Sequence, residues 1–440
     1  MADTADVVIV GGGIMGMSLA LHLLQAGARN VRLLERDGLF EGTTSAGAGF
    51  LAPWSVMTPA HGAESKMPSI ELYGLRFYAD LHAAGYDIDY RRNGLLWVTA
   101  SEGGWIEHED RPWLAGDPDS TVLGPDEITK LTGGAVLGDR VRSGLYMPIG
   151  AQVTTVKVGA ALAHRITELG GVIETRRPVT GLRVHRGRAL GVDTPAGEVD
   201  CGTVVVAAGA WSGALLSEVG FFLPAFPQIT SRIITEPIGI PETMPALMLL
   251  GTLPDEPGGG PFLWARWHDG GLLWGGTYTT HPRNILVDAP VPDRFDDLPT
   301  DGVLEDQRAA LAASYMPALS LPASLRIKHG APCYTPDEMP LVGPVPGVDG
   351  LYALAGDNEL GITHGPGYGK ALAEQISGES GGFADLHPWR LDRFGDQFRN
   401  QAQVMDGLAE SFSALITGDT AEPKKRGRDG QVDPQLDDVA

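Results

Sequence analysis

The stretch DVVIVGGGIMGMSLALHLLQAGARNVRLLER, residues 6–36, constrains this chain more than any other. Val7 to Val10 form a short β-branched run, and Gly11, Gly13 and Gly16 follow at the spacing GxGxxG. At that spacing one glycine makes a tight turn, one lets the backbone approach a pyrophosphate, and one lets a helix pack closely on the strand. Leu19, Leu23 and Leu24 recur at helical spacing, and Gly27 is a natural helix stop. NVRLLE reads as a second strand that ends at Glu35. An acid there accepts hydrogen bonds from a ribose hydroxyl, which argues against a 2′-phosphate and so against NADP.

The chain has 440 residues, more than one core usually supports, so two domains are expected. The net charge of −22 argues against nucleic acid or an anionic membrane as a partner. Two cysteines, Cys201 and Cys333, leave no room for a disulfide framework or a Cys-rich metal site, and no metal is expected. Acids precede the first apolar run, which leads straight into glycines, so no signal peptide is expected. No apolar stretch reaches the roughly 18 residues of a membrane span, and the chain reads as cytoplasmic. From about Gly418 onward the composition is that of a disordered tail, residues 418–440, and its KKRGR run reads as solvated among acids.

Further along, residues 68–85 and VKVGAALAHRITEL carry helical spacing, GPDEITKLTG reads as a short capped helix, and GVIETRRPVTGLRV reads as a strand. VVVAAGAWS and LAGDNELGITHGPGYGK are two more apolar strands that end in glycine-rich turns, the second followed by a helix. A nicotinamide enzyme needs one dinucleotide unit and leaves these two turns unexplained. FAD is longer, and its isoalloxazine lies far from the pyrophosphate, so distant segments must converge on it. A loop opening into a helix would place N–H groups and a positive helix end near the flavin.

In VVIVGGGIMGMSLALHLLQAG, VRLLER, GTTSAGAG, RRNGLLWV, VVVAAGAWS, IITEP, DGGLLWGG, YTPDEMPLVGP and GLYALAGDNELGITHGPGYGKALAEQI, in that order, the chain resembles the FAD-dependent D-amino acid oxidase superfamily. The likeness is to the branch with glycine oxidase, sarcosine oxidase and dimethylglycine dehydrogenase, and it covers about residues 5–400. It implies an α/β protein, a Rossmann-type FAD-binding domain interwoven with a substrate domain on a mostly antiparallel sheet. The expected FAD-binding segments are 1–65, 150–222 and 328–390. The substrate domain takes 66–149 and 223–327, and a C-terminal helix takes 391–417. By the same resemblance Gly11, Gly13, Ile14, Met15 and Gly16 hold the pyrophosphate, Glu35 the adenosine ribose, and Arg36 lies near the adenine. Thr43, Thr44, Ser45 and Ala46 follow the phosphates toward the flavin. Val179 meets the adenine through its backbone, Gly209 and Trp211 close the adenosine side, and Asn358, Glu359, Leu360, Gly361, Ile362 and Thr363 run along the flavin edge. The implied chemistry is hydride transfer from the carbon beside an amine nitrogen to flavin N5. The imine then hydrolyses, and electrons pass to O₂ or another acceptor.

The departures concern the substrate. Where the glycine oxidase pattern carries a carboxylate-gripping arginine, this chain has Pro332. Where sarcosine oxidases carry a lysine and an arginine, it has Thr363 and, approximately, Ala52. A buried carboxylate without a cationic partner is costly, so a secondary, cyclic or bulky amine is expected rather than a small simple amino acid. Leu273 stands where sarcosine oxidases place a lysine over the flavin, which leaves oxidase or dehydrogenase open. Arg266 is a candidate replacement cation, its alternative being an ordinary salt-bridged arginine. His364 is a candidate base or a residue that holds its loop, and Tyr334, Tyr278 and His281 are candidate pocket residues. Trp54, Trp97, Trp264, Trp267 and Trp274 are candidate aromatic walls for a bulky or cationic amine, or else core. Cys333 lies near where some relatives tether FAD, but reads as a small buried residue, so the FAD is expected to be non-covalent. Two rival functions stay open: oxidation of a 2-hydroxy acid or alcohol, favoured by a histidine base, and a non-catalytic FAD-binding subunit.

Overall fold

The computed structural model describes residues 4–54, 67–100, 119–250, 263–276, 286–287, 289–296, 306–321, 324–378 and 382–408. Tyr278, His281 and the expected tail 418–440 lie outside the described residues.

The β-branched run becomes strand β1 (Thr4–Val10), the leucine-spaced segment helix α1 (Ile14–Gln25), and NVRLLE strand β2 (Val31–Leu34). The last four residues of β1 and all of β2 are buried, as suits central parallel strands covered on both faces. Beside them the strands run 341–344, 351–355, 197–206, β1, β2 and 172–174. All these pairs are parallel except 341–344 with 351–355. The antiparallel strands 181–185 and 188–194 extend this sheet from 197–206.

A second sheet runs 325–330, 230–235, 271–276, 263–268, 246–250, 95–99, 143–147 and 121–123. Only the 246–250 and 95–99 pair is parallel. Side chains alternate between its faces. Leu96, Ile233, Leu247, Leu263 and Trp274 point into one core, where Ala312 and Met316 join them. Leu95, Trp97, Leu145 and Met147 point the other way, toward Phe50 and Ala52. That inner face meets the segment 48–54.

The Gly361–Ser377 helix lies against α1, and helix α2 (Met67–Ala83) packs on that helix and reaches α1 through Tyr73 at His22. The glycines of GITHGPGYGK, read from sequence as a loop, fall inside the Gly361–Ser377 helix. Their role is close approach: a Cβ on Gly369 would stand 2.8 Å from the Leu19 nitrogen, and one on Gly367 2.8 Å from Ile70 Cγ2.

Two further segments differ from expectation. GVIETRRPVTGLRV splits into strands 172–174 and 181–185. Between them Arg176 and Arg177 give their N–H groups to the carbonyls of Asp37 and Glu35, and Pro178 has none to give. Residues 391–400 form turns, and the helix described there is 401–408. It begins beside Asn400, whose Oδ1 accepts the Gln403 N–H at 3.0 Å. Among the described residues no helix is long and apolar enough to cross a membrane.

Candidate cofactor cleft and substrate recess

The GxGxxG turn is a cradle that side chains would fill. Gly11 has φ of +116°, and a Cβ there would lie 2.4 Å from the Ala207 carbonyl oxygen; one on Gly16 would lie 2.0 Å from the Gly11 oxygen. Gly13 precedes α1 and has no side chain to cap its first-turn amides, those of Ile14, Met15 and Gly16. Thr44 Oγ1 accepts the Ile14 N–H at 3.2 Å, which brings the loop at 42–47 over the helix start. Uncapped amides at a positive helix end suit a pyrophosphate.

Glu35 stands at the end of β2. Its carboxylate accepts the N–H of Gly12 at 2.6 Å and of Asp37 at 2.8 Å, and its side chain is only half-buried. Arg36 lies over the Trp211 ring at 4.2 Å, and Trp211 stacks on Phe295 at 5.1 Å. Gly209 begins the short 3₁₀ turn that carries Trp211. Val179 is half-buried against the core of the first sheet.

Thr43 Oγ1 accepts the Ala331 N–H at 3.0 Å, and Ala46 lies against Gly330, tying this loop to the TPD segment. Two buried arginines of the second sheet hold the same loop. Arg232 donates to the carbonyls of Ser45 and Gly47. Arg266 donates to the carbonyl of Ala48 at 2.5 Å and of Trp267 at 2.9 Å. Burial lowers the pKa of Arg232 to about 9 and that of Arg266 to about 10, with Arg266 adding to the effect on Arg232. Both remain cationic at neutral pH.

The segment expected at the flavin edge, residues 358–363, opens with a tight turn. Asn358 and Glu359 both have positive φ, 54° and 73°, a conformation that non-glycine residues adopt only where surroundings enforce it. Asn358 supplies part of that enforcement: its Oδ1 accepts the Thr335 N–H at 2.9 Å and its Nδ2 donates to the Gly356 carbonyl at 2.9 Å. Leu360 precedes the Gly361–Ser377 helix, and its carbonyl accepts the N–H groups of Thr363 and His364. Ile362 is buried, and its carbonyl accepts the Tyr78 hydroxyl.

Thr363 is buried, with its hydroxyl on the Phe50 carbonyl at 3.1 Å and the Trp54 indole N–H on its oxygen at 3.1 Å. His364 is buried too. Its Nε2 lies 3.1 Å from Glu71 of α2, and its Nδ1 3.3 Å from the Tyr368 hydroxyl.

Glu359 keeps an exposed side chain, yet burial raises its carboxyl pKa, and the hydroxyls of Tyr334 and Thr230 hydrogen-bond to it. The space beside this carboxylate and the inner face of the second sheet is the candidate substrate recess. Asp357, raised to about 6 by burial with Glu359 adding to the shift, stands nearby, and its Oδ2 has no hydrogen-bond partner. Burial likewise pushes the half-buried Cys333 thiol up to about 12, far from a reactive thiolate.

The five tryptophans divide between the sheet faces. Trp54, Trp97 and Trp264 join Phe50 on the inner face, with ring centroids 5.8 to 6.4 Å apart. Trp274 lies in the opposite core, and Trp267 lies beneath Arg91 at 4.3 Å. Sequence reasoning passed over Arg232, Thr230 and Glu71. The signal for Arg232 was present: an arginine in the middle of the apolar strand TSRIIT.

A glycine cradle at a helix start, with a strained turn and the candidate recess beside the second sheet, suits a dinucleotide whose far end is held by side chains, and the class is that of an FAD-binding protein. The chain belongs to the DAO family of FAD-dependent oxidoreductases, whose pattern it matches over residues 6–375, and FAD is its cofactor. It is 29% identical over 400 residues to the mitochondrial pyruvate dehydrogenase phosphatase regulatory subunit of Mus musculus, covering 89% of this chain and 43% of that protein. It is 28% identical over 388 residues to mitochondrial dimethylglycine dehydrogenase of Rattus norvegicus, covering 85% and 43%. The chain thus spans less than half the length of these two relatives. The L-proline dehydrogenase structure from P. horikoshii superposes with a TM-score of 0.74 at 20% identity, over 90% of this chain and 98% of that one, and shares the fold.

Proposed function

We propose that this chain oxidises the C–N bond of an amine, and that the amine is secondary, cyclic or bulky rather than a small simple amino acid. The observation that carries this reading is the recess itself. Its inner-face wall is aromatic, and the arginines nearest that wall, Arg232 and Arg266, are given to backbone carbonyls of residues 45–48. Pro332 and Thr363 occupy positions where the resemblance implies a carboxylate grip, and neither carries charge.

Bound FAD supplies the hydride acceptor. The chain's own residues bind and orient. The glycine cradle and the first-turn amides of α1 would hold the pyrophosphate, Glu35 would accept from a ribose hydroxyl, and Arg36 with Trp211 would stand at the adenine side. The segment from Thr43 to Ala46 lies along the route to the flavin, held from behind by the two arginines. Asn358 to Thr363 presents backbone and a helix N-terminus to the flavin edge, which favours negative charge there. Trp54 and Trp264 orient the substrate carbon and exclude water. His364, with both nitrogens engaged by Glu71 and Tyr368, positions the helix and does not abstract a proton. This disfavours the hydroxy-acid reading, which needs a free histidine base. Burial of Cys333 supports a non-covalent cofactor.

The test is anaerobic. Secondary and bulky amines are expected to bleach the flavin absorbance, and glycine, sarcosine and small D-amino acids to leave it unchanged. Admitting air then separates oxidase from dehydrogenase by the speed of recolouring. Bleaching by the small amino acids alone would overturn the substrate class. A second reading, an FAD-holding subunit without turnover, draws on the regulatory-subunit name of one relative. Bleaching by any substrate removes it.

A further inference from the structure

We propose that Glu359 determines specificity: its carboxylate receives the cationic group of the substrate, so the recess selects ligands that present an ammonium rather than a carboxylate to the flavin edge. The inference rests on the reading above for where the substrate lies, and it names the charge that the substrate carries there.

Three observations converge. First, the side chain is held but not consumed. The hydroxyls of Tyr334 and Thr230 hydrogen-bond to the carboxylate, while the residue stays exposed in the recess. An ionised carboxylate accepts about four hydrogen bonds, so capacity remains for a ligand N–H or for direct contact with a quaternary nitrogen. Second, its backbone is costly. A left-handed φ on two successive non-glycine residues needs support from its surroundings, part of which the Asn358 side chain gives by tying the turn to Thr335 and Gly356. A glycine at 359 would relieve the strain; a glutamate there places a charge instead.

Third, the wall and the carboxylate flank one space. Thr230 and Arg232 lie on the same face of their strand, and Arg232 pairs across to Gly275. The Trp264 ring covers Gly275, where a Cβ would lie 2.5 Å from Cζ2. From the other side Trp54 is fixed by Thr363, one turn beyond Glu359. Trp54 and Trp264 both keep part of their surface accessible. An aromatic face attracts a cation through its quadrupole and offers nothing comparable to an anion. A carboxylate on one side and indoles on the other form a cation site.

The experiment uses the FAD-loaded protein and two non-oxidisable probes, tetramethylammonium and acetate, titrated while the flavin spectrum is recorded. Tetramethylammonium is expected to perturb the spectrum saturably and acetate to leave it unchanged. Glu359→Gln keeps the shape and both hydroxyl partners, and should weaken tetramethylammonium about tenfold to a hundredfold at unchanged FAD content. Glu359→Lys should exchange the preference, so that acetate binds. Acetate binding to the unaltered protein in place of tetramethylammonium overturns the inference, as does Glu359→Gln binding tetramethylammonium unchanged. If tetramethylammonium binds through Glu359 and yet no amine bleaches the flavin, the cation site stands and the oxidation reading falls.

Discussion

At the proposed pyrophosphate end of the cleft, the chain offers backbone: the α1 start without a side-chain cap at Gly13, and glycines whose missing side chains make room. At the proposed flavin and substrate end it offers side chains, drawn from residues 50–54, 95–99, 230–235, 263–276 and 359–363, next to a loop at 45–48 that two arginines of the second sheet hold. Backbone recognition is local, and one contiguous stretch encodes it. Side-chain recognition is assembled by topology, and each contributor can change alone. Relatives are therefore expected to share the first region closely and to differ in the second.

Substitutions can break that contrast, beginning with the most damaging. Gly16→Val places a side chain where even a Cβ meets the Gly11 carbonyl at 2.0 Å. The expected result is colourless protein, with FAD content below a tenth of the parent's by absorbance and a lowered melting temperature. Retention of full flavin would show that the turn does not make the cofactor contact.

Arg266→Met comes next, because it strips a buried carbonyl of its charged donor. Each such loss costs about 1–3 kcal/mol. Denaturant unfolding should show this drop, and equilibrium dialysis should show weaker FAD binding. If stability falls while FAD affinity does not, the second sheet does not support the cofactor loop.

Acid separates the two regions by sign. His22, buried in α1 and hydrogen-bonded to Ser18 and Tyr73, has its pKa lowered by burial from 6.5 to about 4. Between those values the unfolded chain takes a proton that the fold refuses, so stability falls by about 3 kcal/mol as pH drops from 6.5 to 4. Asp357 is shifted the other way, from 3.8 to about 6. There the fold takes up the proton first, and acidification favours it. Asp357→Asn removes the second contribution only. Its urea midpoint should fall more steeply from pH 6.5 to 4.5 than the parent's, and a parallel fall would refute the assignment.

Trp264→Leu should leave FAD content and melting nearly unchanged and raise KM for a bulky amine several-fold, read from anaerobic reduction rates. The smallest effect belongs to Cys333→Ser. Acid precipitation should release flavin into the supernatant from variant and parent alike; flavin retained in the parent's pellet would reveal a tether.

Much of the first region was legible because its physics is periodic and local. The β-branched run, the glycine spacing, the leucines of α1 and Glu35 each follow from neighbours in sequence. The GPDEITKLTG segment was legible for the same reason: the Glu127 carboxylate accepts the Gly124 N–H at 2.9 Å, closing a capping interaction within four residues. The second region was less so. Trp264 and Trp267 are three apart on one strand, so alternation sends them to opposite faces, yet composition alone grouped them. The glycines from 365 to 369 read as loop because glycine is a poor helix former. Only the proximity of α1 and α2, invisible in one linear stretch, explains their place inside a helix.

The grip of Arg232 and Arg266 on residues 45–48 has a consequence for redesign. A chimera that grafts a relative's second sheet onto this first one, to import a new substrate, would sever three backbone anchors unless both arginines travel with the graft or already stand at matching positions in it. Such recombinants should be sorted first by whether they come out of purification yellow, and only then by what they turn over.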